Sequence, residues 1–449
     1  MTYIEIVNLI FQIITGIISA LTLHYFIFLI VGIFARKKFP KAKVQHNYGV
    51  VISARNEDKV IGNLIKSIQK QKYPQEKIHI FVIAHNCTDR TAEIARELGA
   101  TVYEYNNENE KTKGYALKYL FDQIQKDYGI ETYEGYFMFD ADNVLKYNYI
   151  EKMNDAFEYY GCKNVITSFR NTKNLGTNAI SASYGLLFLS GCIFEGRART
   201  IFGCSTRVQG TGHLMNSSAL KDGWPYVTLT EDWEFSADQI LHGNKIYYCD
   251  EAEFFDEQPT SFKIMLRQRI RWAKGHLIVC ATRAKDLFKN IFRKQKADEP
   301  KINRGSSYDI LTNILPFYII SVCLYVLQFV LLAIAPLFGP VDVGAYWLGW
   351  LKSTGISLAT AYGAGMLSAI IIFILGNKRL QKLNFWTGLS AVLFWPIFVA
   401  LNIVTDFVAL FSKNVGWKTI PHKDTTNFEM VNKEHVEKEE NKVEIKTEK

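Results

Sequence analysis

Apolar residues crowd the two ends of this chain and polar ones fill its middle. Residues 7–34 form an apolar run broken only by Asn8, Gln12, small hydroxyl residues and His24. As a helix it is long enough to cross a hydrocarbon core of roughly 30 Å. Arg36, Lys37, Lys38, Lys41 and Lys43 follow at once, whereas the first eight residues carry no Lys or Arg. A cleaved export signal has the opposite charge order, so the run is expected to remain as a span, with its N-terminus outside and the following domain in the cytosol. Further apolar runs cover residues 310–335, 353–375 and 385–411, with Lys378 and Arg379 before the last and the lysines of 413–423 after it. Both basic flanks favour the cytosol, yet one full crossing by 385–411 would separate them. Pro396 lies mid-run and allows a kinked, re-entrant or interface-lying element instead.

From about residue 45 the period changes. Residues 48–53 are a β-rich run, followed by Val60, Ile61, Leu64, Ile65 and Ile68 at helical spacing. Residues 78–84, 101–105 and 136–140 repeat the strand pattern, with helical patterns at 91–98 and 115–124 between them. Such alternation predicts a mostly parallel sheet covered on both faces, with ligands bound at the carboxyl ends of its strands. Polar residues gather at those ends: Ser53, Ala54, Arg55, Asn56 and Glu57 after the first strand, then His85, Asn86, Cys87, Thr88 and Asp89, and finally Asp140, Ala141 and Asp142.

Composition sharpens this picture in three ways. The formal charge of +8 comes from Lys and Arg clustered beside the apolar runs, and no nucleic-acid motif accompanies them, so membrane lipids rather than nucleic acid are the expected partner. Seven cysteines without a CxxC pair indicate neither a zinc site nor a disulfide framework. Beyond about residue 425, Glu, Lys and Asn dominate, and disorder is expected.

Three constellations carry candidate chemistry. Asp140 and Asp142 can reach one divalent cation from the end of a strand, although an isolated acidic pair is more often an ordinary turn. Thr230, Glu231 and Asp232 offer a carboxylate to accept a hydroxyl proton, or equally the capped start of a helix. Gln268, Arg269, Ile270, Arg271 and Trp272 lie in a basic amphipathic stretch. There Arg271 can clamp a diphosphate and Trp272 can stack on a sugar, or the stretch can simply rest on lipid headgroups. Lys113 and Gly114 open a helix, where a cation near phosphates competes with a solvated loop lysine. His213 and His276 lack paired ligand spacing and read as structural.

Taken in order, these motifs resemble the family-2 glycosyltransferases, and within them the processive membrane branch of cellulose, chitin, hyaluronan and poly-N-acetylglucosamine synthases, whose DxD, TED and Q(Q/R)xRW signatures recur here. Residues 416–422 are similar to the C-terminal end of bacterial membrane transferases of this kind. The resemblance implies an α/β, Rossmann-like GT-A catalytic domain in the cytosol, inserted between N- and C-terminal transmembrane helices of a bacterial plasma-membrane protein. The expected layout is a transmembrane helix at 1–36, the GT-A domain at 37–258, amphipathic interface helices at 259–300, a transmembrane region at 301–411 and a charged, disordered tail at 412–449. The resemblance further implies UDP-glucose or UDP-N-acetylglucosamine as donor and Mg2+ or Mn2+ held by Asp142 with Asp140. Catalysis is expected from Asp232 as base with Glu231 beside it. Donor contacts are expected from Ala54, Arg55, Glu57, Asn86, Asp89 and Lys113, and acceptor or diphosphate contacts from Gln268, Arg269, Arg271, Trp272, Gly210 and His213. The product is expected to be a β-linked polymer moved across the membrane, the alternatives being a glycosyl-diacylglycerol type of glycolipid or an inactive scaffold role. No gating-loop pattern like that of cellulose synthases is present, and the motifs name no accessory subunit.

Overall fold

The strand and helix alternation builds half of an eight-stranded sheet, seen in a computed structural model that describes residues 1–296, 301–340, 342–380, 383–413, 415–416, 420 and 422–447. Tyr48–Ala54 (β1), Ile78–His85 (β2), Thr101–Tyr105 (β3) and Gly135–Asp140 (β4) run parallel in the order β3-β2-β1-β4. The apolar runs of β1, β2 and β4 are buried on both faces, whereas the edge strand β3 is only partly covered. Tyr3–Phe34 (α1) precedes them; Ile61–Gln69 (α2), Thr91–Glu97 (α3) and Tyr149–Tyr159 (α5) cover one face, and Lys113–Asp127 (α4) covers the other. The helix expected from 115 thus starts at Lys113, which places that lysine at the sheet's carboxyl edge.

The rest of the sheet is mixed, which departs from the mostly parallel expectation. Val144–Leu145 (β5), Val165–Thr172 (β6), His213–Asn216 (β7) and Ile246–Asp256 (β8) add the order β4-β7-β6-β8-β5. β7 is antiparallel to both neighbours, and β6 pairs parallel with β8. β5 and β7, of two and four residues, are too short to show a period of two, and the apolar runs of β6 and β8 are broken by polar residues such as Arg170, Asn171, Asp250 and Glu253.

Five stretches among the described residues are long and apolar enough to cross a membrane: Tyr3–Phe34, Ala179–Phe202, Phe317–Leu337, Val343–Gly376 and Phe385–Phe411. The second, made of Ala179–Ser190 (α6), a π-helical turn at Gly191–Gly196 and Arg197–Phe202 (α7), is mostly buried within the protein. Its charges are paired: Arg197 Nε lies 2.7 Å from Asp250, and Arg199 Nε lies 2.6 Å from Asp309. Glu231–Leu241 (α8) and Phe262–Phe292 (α9) follow. The apolar run at 310–335 is divided at Pro316 into Arg304–Ile314 (α10) and Phe317–Ala333 (α11), since proline removes a helical donor and disfavours helix in the residue before it. Only α11 is a candidate span. α10 packs against α9, and its Asp309 holds α1 in place through His24 at 3.2 Å.

Val343–Gly376 (α12) and Phe385–Phe411 (α13) end the apolar region. Both ends of α13 rest on the same globular unit. Just before it Arg379 donates to Asp250 at 2.9 Å, near its start Thr387 Oγ1 lies 3.5 Å from Gly176 O, and at its end Lys274 of α9 donates to Ser412 O at 2.8 Å. Its buried face of Ala391, Val392, Trp395, Phe398 and Thr405 runs along α6 and α9. α13 therefore lies along this globular unit, which holds both of its basic flanks. In contrast, α1, α11 and α12 are buried only near their ends.

The tail differs from the expected disorder. Phe428–Val431 (α14) and Lys433–Thr447 (α15) are helical, with Phe428 and Asn432 buried. Few apolar side chains suffice here because the groove that receives them is already built by α2 and β5. Residues 297–300, 414, 417–419, 421 and 448–449, which include most of the expected C-terminal transferase-like stretch, lie outside the described residues.

Candidate active site

The first two strand ends brace each other. Asn56 and Asn86 adopt left-handed backbone angles, φ 57° and 51°, a region that asparagine tolerates better than most residues. Asn56 Oδ1 accepts the Thr88 N–H at 2.7 Å, and the Asn86 carboxamide both accepts from and donates to the backbone of Asn107. Asp89 accepts the Thr91 hydroxyl at 2.6 Å and the N–H groups of Thr91 and Asp58, each at 3.1 Å. Burial works against the Asp89 carboxylate, but these bonds hold it below the usual range. Asn86 and Asp89, expected as donor contacts, thus also brace the loops at the two strand ends. Ala54 is buried at the end of β1, and Arg55 reaches the Lys111 carbonyl at 3.4 Å. Glu57 is different. Both its carboxylate oxygens lie 2.9 Å from His422 Nδ1. Burial pushes Glu57 up to about 7 against the pull of His422.

At the end of β4, Lys113 Nζ pairs with Asp140 and donates to Gly210 O at 2.7 Å. Asp142 is buried and accepts the Glu257 N–H at 2.8 Å. Burial alone would raise its pKa, yet His422, Lys173, that N–H and Arg170 together hold it below the usual carboxylate range. Arg170 also binds Asp256, whose second oxygen has no partner and whose carboxyl burial pushes up to about 6. No cluster of three metal-ligating side chains exists among the described residues. An ionised Asp142 with Asp140 beside it fits Mg2+ or Mn2+, which bind through one or two carboxylates and take their remaining oxygens from phosphates and water.

The other wall is the start of α8. Thr230 does not make the expected cap: its hydroxyl is buried without a partner. Instead it packs on Gly275 of α9, where a Cβ would meet its side chain at 2.4 Å. That close approach brings Arg271, one turn earlier on α9, to donate to Leu229 O at 3.0 Å. Gly210, at φ +78°, passes beside Asp232; a Cβ there would stand 3.6 Å from Asp232 Oδ2. Burial, then the neighbouring Asp232, pushes Glu231 up to about 7. Burial also raises Asp232, against the Trp233 N–H, Lys113 and Arg271. Burial lowers Arg271, which faces Glu231, Asp232 and Asp140. Lys113, Asp140, Gly210, Glu231, Asp232 and Arg271 therefore lie together, with three carboxylates and two cations in reach of one another.

The remaining predicted residues separate. Arg269 leaves the pocket: it donates to Asn402 of α13 at 2.6 Å and stacks 4.2 Å over Phe398. A helix turns 100° per residue, so Arg269 points about 160° away from Arg271, two residues on. Trp272 meets Tyr184 and Phe188 of α6 edge-on at 6.0 and 6.4 Å, and Gln268 Oε1 is buried without a partner. His213 lies within β7, pushed down to about 3 by burial and Lys113, so its ring is neutral. His276, also pushed down to about 3 by burial, packs against Trp233 at 4.3 Å. His422 closes the 416–422 stretch noted in the sequence, whereas Arg170, Lys173, Asp256 and Glu257 are absent from the motifs. The acidic pair at the end of β8 was the one available signal for them, since it repeats the strand-end pattern of Asp140 and Asp142.

Residues 46–275 match the family described as glycosyltransferase like family 2. A poly-beta-1,6-N-acetyl-D-glucosamine synthase of Staphylococcus epidermidis is 25% identical over 56% of this chain and 60% of its own length. A beta-monoglucosyldiacylglycerol synthase of Nostoc sp. is 26% identical over 54% of this chain and 52% of its own. The chain thus spans little more than half the length of these relatives. A solved mannosyltransferase of Pyrobaculum calidifontis, in complex with GDP-Man and Mn2+, shares the fold at a TM-score of 0.52 and 14% identity, over 89% of this chain and 99% of that one.

Proposed function

Since the chain belongs to the glycosyltransferase-like family 2 and has the GT-A fold, we propose that it transfers a sugar from a UDP-sugar to an acceptor hydroxyl at a membrane surface, with inversion at the anomeric carbon. The observation that carries this reading is the shared pocket of Asp232, Arg271, Lys113 and Asp140. Asp232 takes the acceptor proton. Arg271 and Lys113 hold the diphosphate, and their positive charges meet the negative charge that develops on it. Asp140 and Asp142 would hold Mg2+ or Mn2+, which when bound neutralises the departing UDP. Gln268 and Trp272 offer the acceptor a hydrogen-bond partner and an aromatic edge. UDP-glucose and UDP-N-acetylglucosamine are the donors to which the two named relatives direct attention. Keeping Asp140, Asp142, Asp232, Arg271 and Trp272 together serves catalysis and argues against a scaffold role.

In this reading α1, α11 and α12 cross the cell membrane of a bacterium, with the catalytic domain in the cytosol. The basic residues 36–43 adjoin that domain, and the three helices meet at their far end through Tyr3 on Phe338 at 4.4 Å and Trp347 on Phe329 at 5.1 Å.

One observation favours a lipid-borne acceptor over a translocated polymer. A pore for a glycan needs a polar lining enclosed across the hydrocarbon. Among the described residues, apolar side chains stand exposed mid-length on each crossing helix: Ile13 and Ile17 on α1, Val326 and Leu327 on α11, and Ile356 and Leu358 on α12, the last two beside Thr354 and Ser357. The purified protein in lipid nanodiscs, supplied with Mn2+ and each UDP-sugar in turn, is expected to give a short, lipid-extractable product. A long polymer released from lipid would restore the processive reading, and no transfer from any UDP-sugar would refute the proposed function.

The pH response follows from the same pocket. Asp232 acts only while ionised, and its pKa is raised by burial. Below that raised value it is protonated and transfer stops, so kcat is expected to fall on acidification well before the range of an ordinary carboxylate, about 4. A kcat profile flat down to that range would remove Asp232 from the role.

A further inference from the structure

After α13 the chain returns across the carboxyl edge of the sheet. His422 meets Glu57, while the N–H groups of Lys423 and Asp424 donate to Glu257 at 3.0 and 2.9 Å. Lys173 Nζ lies 3.4 Å from Asp424 O. Glu257 in turn donates its own N–H to Asp142. One strap therefore joins the ends of β1 and β8 beside Asp142, and it places the His422 ring there.

The strap is fastened farther along, outside the pocket. Asn432 is buried, and its carboxamide makes three bonds: Oδ1 accepts the Tyr147 N–H at 2.9 Å, and Nδ2 donates to Leu145 O at 3.2 Å and to Phe428 O at 3.0 Å. Phe428 is buried beneath Lys70, whose Nζ stands 5.6 Å over the ring. His435 stacks on Tyr147 with centroids 3.8 Å apart. Tyr147 and Leu145 belong to the segment that follows Asp142, so the anchor grips the same stretch of chain that carries the metal-binding acid. A buried carboxamide with three partners is more than a solvated tail needs. Its use is positional.

We propose that Asn432, with Phe428 and His435, is a positioning residue of the donor site: it fastens the strap that carries His422 to Glu57 and Asp142, where the ring faces the diphosphate of a bound nucleotide. This rests on the reading of the pocket as a UDP-sugar site. A nucleotide then binds only molecules whose strap is seated, so its apparent affinity scales with the seated fraction.

The test uses the full chain in nanodiscs with Mn2+, comparing the wild type with Asn432→Ala and His435→Ala. UDP binding is measured by calorimetry and transfer by initial rates. Unseating nine molecules in ten predicts about a tenfold loss of UDP affinity and a similar rise in KM for the UDP-sugar, with kcat little changed. A defect in folding alone would lower active enzyme, and hence apparent kcat, without moving KM. His435→Ala, which loses only a stacking contact, is expected to shift KM in the same direction by less. Equal UDP affinity in wild type and both variants overturns the proposal while leaving transfer intact. Tighter UDP binding by Asn432→Ala also overturns it, by showing that the strap competes with nucleotide. If the wild type binds no UDP, the proposal falls together with the reading it rests on.

Discussion

Asp232→Asn is expected to lower kcat by about 10²–10⁴-fold, the range a positioned general base contributes, while UDP affinity stays unchanged. The substitution is close to isosteric, and the carboxamide oxygen can still accept the Trp233 N–H that now reaches Asp232 Oδ1 at 2.9 Å. What it removes is the ability to take a proton. The pocket should survive, because Lys113 keeps Asp140 and Gly210 as partners and Arg271 keeps Leu229 O. The loss of charge has one further consequence. Asp232 is, after burial, the main influence raising Glu231, so the Glu231 pKa should fall in the variant. If Glu231 were the base instead, Asp232→Asn would keep most of its rate, and Glu231→Gln would be the inactive protein. Initial rates on both variants, with calorimetric UDP binding as the control, separate the two roles.

Arg271→Ala is expected to cost about 10²–10³-fold in kcat/KM, the loss seen when a preorganised charge-stabilising donor is removed. Its guanidinium faces Glu231, Asp232 and Asp140 together, as Lys113 does, and also bonds the backbone at Leu229. Lysine is a poor substitute, since a point charge on a flexible stem does not reproduce the planar fork; Arg271→Lys should recover only part of the rate. The pH profile supplies a second readout. Arg271 now lowers the pKa of both Glu231 and Asp232. Removing that cation raises them, so the base stays protonated to higher pH and the acid limb of kcat must move upward. A variant that loses rate with an unmoved limb would place Arg271 away from Asp232.

Legibility in the sequence followed the continuity of each apolar run. β1, β2 and β4 are continuous apolar runs with polar residues at one end, and these were enough to predict both the α/β fold and the edge where the site lies. β5 and β7, with two and four residues, have no period to detect, and β6 and β8, though eight and eleven residues long, carry polar residues such as Arg170, Asn171, Asp250 and Glu253 that break their apolar runs. Spacing also could not show which way α9 faces. Arg269 and Arg271 look equivalent in sequence, yet one bonds Asn402 of α13 and the other reaches the start of α8. That division is set by the contact between Gly275 and Thr230, which no local pattern announces. The tail shows the reverse failure. Its composition describes a chain unable to make a core of its own, whereas Phe428 and Asn432 need only complete a surface that α2 and β5 already provide.

The reaction itself is tested most directly by the configuration of the bond it makes. With an α-linked UDP-sugar as donor and the protein in nanodiscs, proton NMR of the first product reads the anomeric coupling. Single displacement with Asp232 as base predicts a β-linked sugar from the earliest time point. An α-linked product would mean two displacements or front-side attack, and would contradict the account of this pocket.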